Sequence, residues 1–167
     1  LGNQFGPAAV RHRDEEASEP RERRKKKEKD EGIRRSQRLL LTWLIERPQL
    51  FEKIDGIIGP DDFKEPLYHE VAQQVFDGHR EGYINPAGIL NRYINDEEQY
   101  KQVAALFNAS LDDSLNNEEQ RKAFSETVLK VKKNSLDEAS RSAVDIAALQ
   151  EIIKQQAALK TLQISID

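Results

Sequence analysis

The chain has 167 residues, of which 34% are charged and only 37% apolar, against about 25% and about 45–50% in an ordinary globular chain. It has no cysteine, which excludes disulfides, zinc–thiolate sites, thiol catalysis and iron–sulfur clusters, and no apolar run of about 18 residues, the length that spans a bilayer. The net charge of −4 hides a split: residues 1–35 hold 11 Lys/Arg and 8 Asp/Glu, a net of +3, and the remaining 132 hold 15 and 22, a net of −7.

Methionine is absent at position 1 and everywhere else. We therefore expect a fragment or processed piece, and the N-terminus lacks the apolar core of a signal peptide. Residues 1–32 read as a flexible charged linker. Arg21–Lys29 places seven cations in nine positions, while Phe5, Val10 and Ile33 follow no period. So little apolar surface does not offset the entropy of ordering. Such a run suits a phosphate-binding patch, but the interspersed Glu22 and Glu28 favour a solvated tether. Lys, Arg and Glu are also good helix formers, so a transient helix is compatible with it.

From Ile33 the pattern becomes helical. Leu39, Leu40, Trp43 and Leu44 share one face, widened by Leu41 and Ile45. Pro48 ends this helix, and residues 49–54 form a short one. Gly56, Gly59 and Pro60 punctuate the chain before Asp61 and Asp62 start a turn with Phe63 inward. Pro66 opens a stronger helix with Leu67, Val71, Ala72, Val75 and Phe76 inside, stopping near Gly78–Gly82. Asn85-Pro86 starts another, leading to Ile89, Leu90, Tyr93 and Ile94. Asn95-Asp96-Glu97-Glu98 then supplies a cap and first-turn acids for a helix with Tyr100, Val103, Ala104 and Phe107 inward.

Two longer elements finish the chain. Asn117 with Glu118, Glu119 and Gln120 resembles a capping box, leading to Phe124, Val128, Val131 and Ser135 at helical spacing. Lys130, Lys132 and Lys133 are expected to point outward. Ser140-Arg141-Ser142 is expected to break the helix. The last helix, about 144–163, shows Ile146, Leu149, Ile153, Gln156 and Leu159 in heptad-like register. The fold class is all-α: a small helical bundle at 33–116 followed by a C-terminal antiparallel helical hairpin at 117–167. A two-helix hairpin cannot bury so many aliphatic side chains by itself. It either folds back on the bundle or docks on a partner.

Nothing in the sequence assembles an active site. His69 and His79, ten residues apart on one helix, differ in direction by about 80°, and no metal-binding spacing accompanies them. Asp61-Asp62 and Asp112-Asp113 are adjacent pairs whose members do not face each other on a helix. Glu81-Gly82-Tyr83-Ile84-Asn85 resembles a magnesium-binding nucleotidyl-transfer motif, but it lacks the final acid and a preceding strand and reads as a turn. No phosphate-cradling loop or nucleophile elbow occurs.

The run Arg38-Leu39-Leu40-Leu41-Thr42-Trp43-Leu44-Ile45-Glu46-Arg47-Pro48-Gln49-Leu50-Phe51 is distinctive. It is followed in order by Ile57-Ile58-Gly59-Pro60-Asp61-Asp62-Phe63, Pro66-Leu67-Tyr68, Val71–Phe76 and Val103–Phe107. Together these resemble the C-terminal helicase-binding domain of bacterial DNA primase over residues 33–167, and Leu159–Asp167 resembles that family's C-terminus. The N-terminal domain of the replicative helicase, its collar, is a related alternative. The basic linker and the lack of an ATPase motor favour primase. A nucleic-acid-binding module using residues 21–38 is the other alternative.

The resemblance implies a docking domain without catalysis or cofactor of its own. Zinc and magnesium would belong to absent parts of the parent primase, which makes RNA primers. The implied partner is the hexameric replicative helicase, through its N-terminal domain, at the replication fork in the bacterial cytoplasm. The implied docking residues are Ile146, Leu149, Ile152, Ile153, Leu159, Leu162 and Ile166, some of which must instead form the hairpin seam. The family also suggests contact with the acidic tail of single-stranded DNA-binding protein, for which Arg34, Arg35 and Arg38 are the available cluster. The acidic body fits a protein partner better than direct DNA contact, and no membrane role is expected. Asp137, Glu138 and Arg141 near the hairpin tip are candidate orienting charges.

Overall fold

A computed structural model describes residues 20–109, 111 and 114–162. The protein is all-α: seven α-helices and two short 3₁₀ turns among the described residues, without a strand. The helices are α1 (Arg21–Glu46), α2 (Phe51–Ile54), α3 (Pro66–Arg80), α4 (Pro86–Asn91), α5 (Glu97–Asn108), α6 (Asn117–Ser142) and α7 (Ile146–Leu159). The 3₁₀ turns are Pro48–Leu50 and Pro60–Asp62. The chain divides into two units, Leu1–Gly32 and Ile33–Asp167.

The first difference from the sequence reading is at α1. It starts at Arg21, twelve residues before Ile33, so the basic run, expected as a flexible charged linker compatible with a transient helix, is helical. All of residues 21–32 are solvent-exposed. Their helix therefore rests on the propensity of Lys, Arg and Glu and on propagation, which avoids the cost of a separate nucleus.

The core of residues 33–167 is built around the C-terminal half of α1, where Leu40, Leu41, Trp43 and Leu44 are buried. Phe51, Ile54, Phe63, Val71, Val75, Val103 and Leu106 join them, together with Phe124, Val128 and Val131 of α6. The core thus continues past residue 116. The indole of Trp43 meets Phe124 edge-on at 5.5 Å, an aromatic geometry favoured by the ring quadrupoles. Arg47 lies over the same indole at 5.4 Å and donates to Gln120 Oε1 at 2.9 Å. The Leu111 amide donates to Glu46 Oε2 at 3.2 Å.

Helix ends follow local chemistry. Pro66 and Pro86 open α3 and α4 at the first turn, where a missing N–H costs nothing. Gln37, 1% exposed, accepts from the Glu65 amide at the α3 entrance at 2.9 Å. The α3 exit is a Schellman turn. Gly82 takes φ +99, and the amides of Gly82 and Tyr83 donate back to His79 O and Gly78 O. Side-chain caps come from Asn85, Asp96, Asn116 and Asp145. The α6 cap is Asn116 and not Asn117. Its Oδ1 accepts from the Glu119 amide while its Nδ2 donates to Glu119 Oε1 at 2.7 Å.

Helix α6 is fixed to the turn before α3 by Asp62. Its Oδ1 accepts from Ser135 Oγ at 2.6 Å and from Lys132 Nζ at 3.2 Å, and its Oδ2 accepts from the Gly59 amide at 2.8 Å. Lys132 was expected outward with Lys130 and Lys133. It turns inward because its side chain, 20% exposed, meets a carboxylate that is 13% exposed. Replacing Asp62 by Ala removes three donors' acceptor at once. Hydrogen bonds to charged groups contribute about 1.5–3 kcal/mol each, and these three share one group. We therefore predict that Asp62→Ala lowers the free energy of urea unfolding by about 2 kcal/mol; a loss below about 0.5 kcal/mol would mean that the apolar face alone holds α6.

Candidate functional site

Helices α6 and α7 pack side by side and are joined by residues 143–145. Gln156 Nε2 donates to Asp137 Oδ1 at 3.1 Å. A groove lined by Leu129, Lys133, Leu159 and Lys160 continues from that pair. Residues ever farther from the turn on one helix meet residues ever farther along the other, so the helices run antiparallel. The break expected at Ser140-Arg141-Ser142 lies one turn later. These three residues are helical, and the turn is Ala143-Val144-Asp145, closed by Asp145 Oδ1 accepting from the Ala148 amide at 2.7 Å.

The inward face of α7 differs from the heptad reading. Leu149, Ile152, Gln156 and Leu159 are half-buried, with Leu162 beyond the helix packed on the main core. Ile146 and Ile153 face solvent, 74% and 53% exposed, and Val144 is 93% exposed at the turn. Of the seven docking candidates, the structure therefore places four in or beside the seam and two outside it. Ile166 lies outside the described residues. The heptad register put Ile153 on the seam; the helix is instead rotated so that Ile152 takes that place. In this rotation Gln156 meets Asp137, a contact that sequence periodicity does not contain. Asp137 thereby makes a hydrogen bond within the hairpin.

No residue of α7 is fully buried. Its outer face carries Ile146 and Ile153 with Ala147, Ala157 and Ala158, all exposed. These side chains are uncovered, as are Tyr83 and Ile94, 71% and 64% exposed, elsewhere on the bundle.

The arginine cluster is divided. Arg34 Nε pairs with Glu65 Oε2 at 3.4 Å. Arg38 lies beside the Tyr68 hydroxyl, whose pKa burial pushes up while Arg38 and Arg34 oppose the rise. Arg35 and Arg38 also rim a groove between α1, α5 and the segment entering α6, floored by Leu39, Trp43, Ala105, Leu111 and Ala123. The Trp43 indole N–H is buried with no acceptor among the described residues. Sequence reading found the arginines but not the groove, because its floor comes from three separate segments.

Two of the three histidines, His69 and His79, lie among the described residues. His69 Nδ1 lies 3.0 Å from Pro60 O, and His79 stacks on Phe51 at 4.0 Å with 9° between the rings. Among the described residues, no three His, Cys, Asp or Glu side chains converge as a metal site, and no helix is long and apolar enough to cross a membrane.

No family model, no curated protein and no solved structure matches this chain.

The division of α7 into two faces has a direct consequence. Ile146→Asp and Ile153→Asp should change unfolding free energy by no more than about 0.5 kcal/mol, as for surface sites. Ile152→Asp and Leu159→Asp place a charge in the seam and should cost about 1–3 kcal/mol, with faster amide hydrogen exchange confined to α7. Equal costs at all four positions would contradict the assigned rotation.

Proposed function

We propose that the chain is a protein-docking domain, the helicase-binding part of a bacterial DNA primase, and that the outer face of α7 is its docking surface. The observation that carries this reading is that α7 buries none of its residues fully while Val144, Ile146 and Ile153 stand exposed on one terminal element. Clustered exposed aliphatics on a charged protein mark an interaction surface. The family resemblance supplies the partner: the N-terminal domain of the hexameric replicative helicase, in the bacterial cytoplasm at the fork. In this reading the fragment does no chemistry. It tethers primer synthesis to unwinding, and two or three aliphatic side chains carry most of the affinity.

A mixture of this chain with a bacterial hexameric replicative helicase tests the proposal by size-exclusion chromatography with light scattering. The wild-type chain should co-elute with the hexamer. The Ile146→Asp/Ile153→Asp double variant and a chain ending at Ser142, which keeps α6 whole, should not. Retained binding by the shortened chain would move the contact to the bundle. No complex with the wild-type chain at low or moderate salt would overturn the docking function.

The groove rimmed by Arg35 and Arg38 favours a second contact, with the acidic tail of single-stranded DNA-binding protein. Two cations flank an apolar floor, which suits a peptide with carboxylates beside an apolar anchor. Trp43 is the single tryptophan of the chain and lines this groove, so it reports binding directly. The tail peptide should shift Trp43 fluorescence, and Arg35→Glu/Arg38→Glu should weaken that titration at least about tenfold, the scale of two charge-assisted contacts. An unchanged titration curve in the double variant would remove the groove from the function.

A further inference from the structure

We infer that the basic N-terminal turns of α1, Arg21–Lys29, form a binding site for the phosphodiester backbone of duplex nucleic acid, separate from the docking surface and independent of the primase reading. Over these nine positions seven cations stand against two acids, a net of +5, and the segment is helical and solvent-exposed throughout.

Three features narrow the ligand to a duplex backbone. First, helical steps of about 100° distribute the seven cations around the whole circumference. A flat anionic surface would meet only about half of them, whereas a helix lying in a groove meets phosphates on both sides. Second, Arg21–Glu31 contains no apolar residue. Helices that lie on lipid need an apolar face to insert, and this one has none. Third, α1 contains no aromatic residue before Trp43. Single-strand binding draws on base–aromatic stacking, which this segment does not offer. The nine residues rise about 13 Å, which matches roughly four phosphates along one strand at about 3.4 Å each.

A separate observation points to an anion. The first turn of α1 holds Arg21, Arg23 and Arg24, with Glu22 as its one acid. Cations at this end oppose the positive pole of the helix dipole. The arrangement is unfavourable for an isolated helix and is relieved when phosphates sit beside it. Binding should therefore also stabilise the helix of this segment. The rest of the chain carries a net negative charge, which disfavours the same ligand over most of its surface.

Fluorescence anisotropy with a labelled duplex of about 20 base pairs, titrated at several salt concentrations, tests the site. With about five to seven phosphates neutralised on the two sides of the groove, log K should fall against log salt with a slope of about −4.5 to −6. A variant with all seven cations changed to Gln, a residue of similar helix propensity, should bind at least about tenfold more weakly with a slope near zero. Its far-ultraviolet dichroism should keep the helices of residues 33–162. In the wild-type chain, amide hydrogen exchange of residues 21–29 should slow on adding duplex, as the exposed helix is stabilised. Unchanged affinity in the Gln variant overturns the site. Binding to phosphatidylglycerol vesicles without binding to duplex overturns the ligand class, and tighter binding to oligo(dT) than to duplex overturns the groove geometry.

Discussion

The placement of α6 rests on Asp62. A carboxylate at the end of a 3₁₀ turn receives the Gly59 amide from its own loop and both Lys132 and Ser135 from α6. The apolar contacts of Phe124, Val128 and Val131 bury the middle of that helix but specify neither its rotation nor its axial position closely, since aliphatic packing is tolerant of small slides. Three directional bonds on one side chain are not tolerant. The desolvation of Asp62 is offset only when all three donors are present, so this contact selects one arrangement of α6.

Once α6 is fixed, the state of α7 follows. One face of α6 is committed to the bundle, and only a narrow strip around Leu129, Lys133 and Asp137 remains for α7. That strip covers one side of a 14-residue helix. The rest of an Ile- and Ala-rich element stays in water. The exposed aliphatics are therefore a consequence of the topology: the hairpin's first helix belongs to the core, and its second buries none of its residues fully.

Much of this was legible in the residues. The all-α class, the Pro-initiated helices, the Gly82 turn and the inward Leu40, Val71, Val103 and Phe124 follow from period and punctuation, which act locally. Phe63 was legible as an anchor because Asp61-Asp62 places it just beyond a turn. What was not legible depends on contacts distant in sequence. Lys132 looks like its neighbours Lys130 and Lys133 until Asp62, seventy positions away, is brought beside it. The groove below Arg35 and Arg38 needs α1, α5 and Leu111 together. The helical state of Arg21–Gly32 was obscured for another reason: composition argues against a packed core, which is absent there, but a helix continued from a packed one requires no core of its own.

The hairpin seam combines one polar contact with one of two apolar patterns. Counting from Leu149, α7 offers Ile153, Gln156 and Leu159 in one register and Ile152, Gln156 and Leu159 in another, and both faces are hydrophobic enough to pack. Burial energy differs little between two isoleucines 100° apart on the same helix. Gln156 belongs to either face, and in the observed one its Nε2 donates to Asp137 Oδ1 at 3.1 Å. With Ile152 inward and Ile146 and Ile153 outward, the rotation of α7 decides which aliphatic side chains the hairpin buries and which it leaves in water.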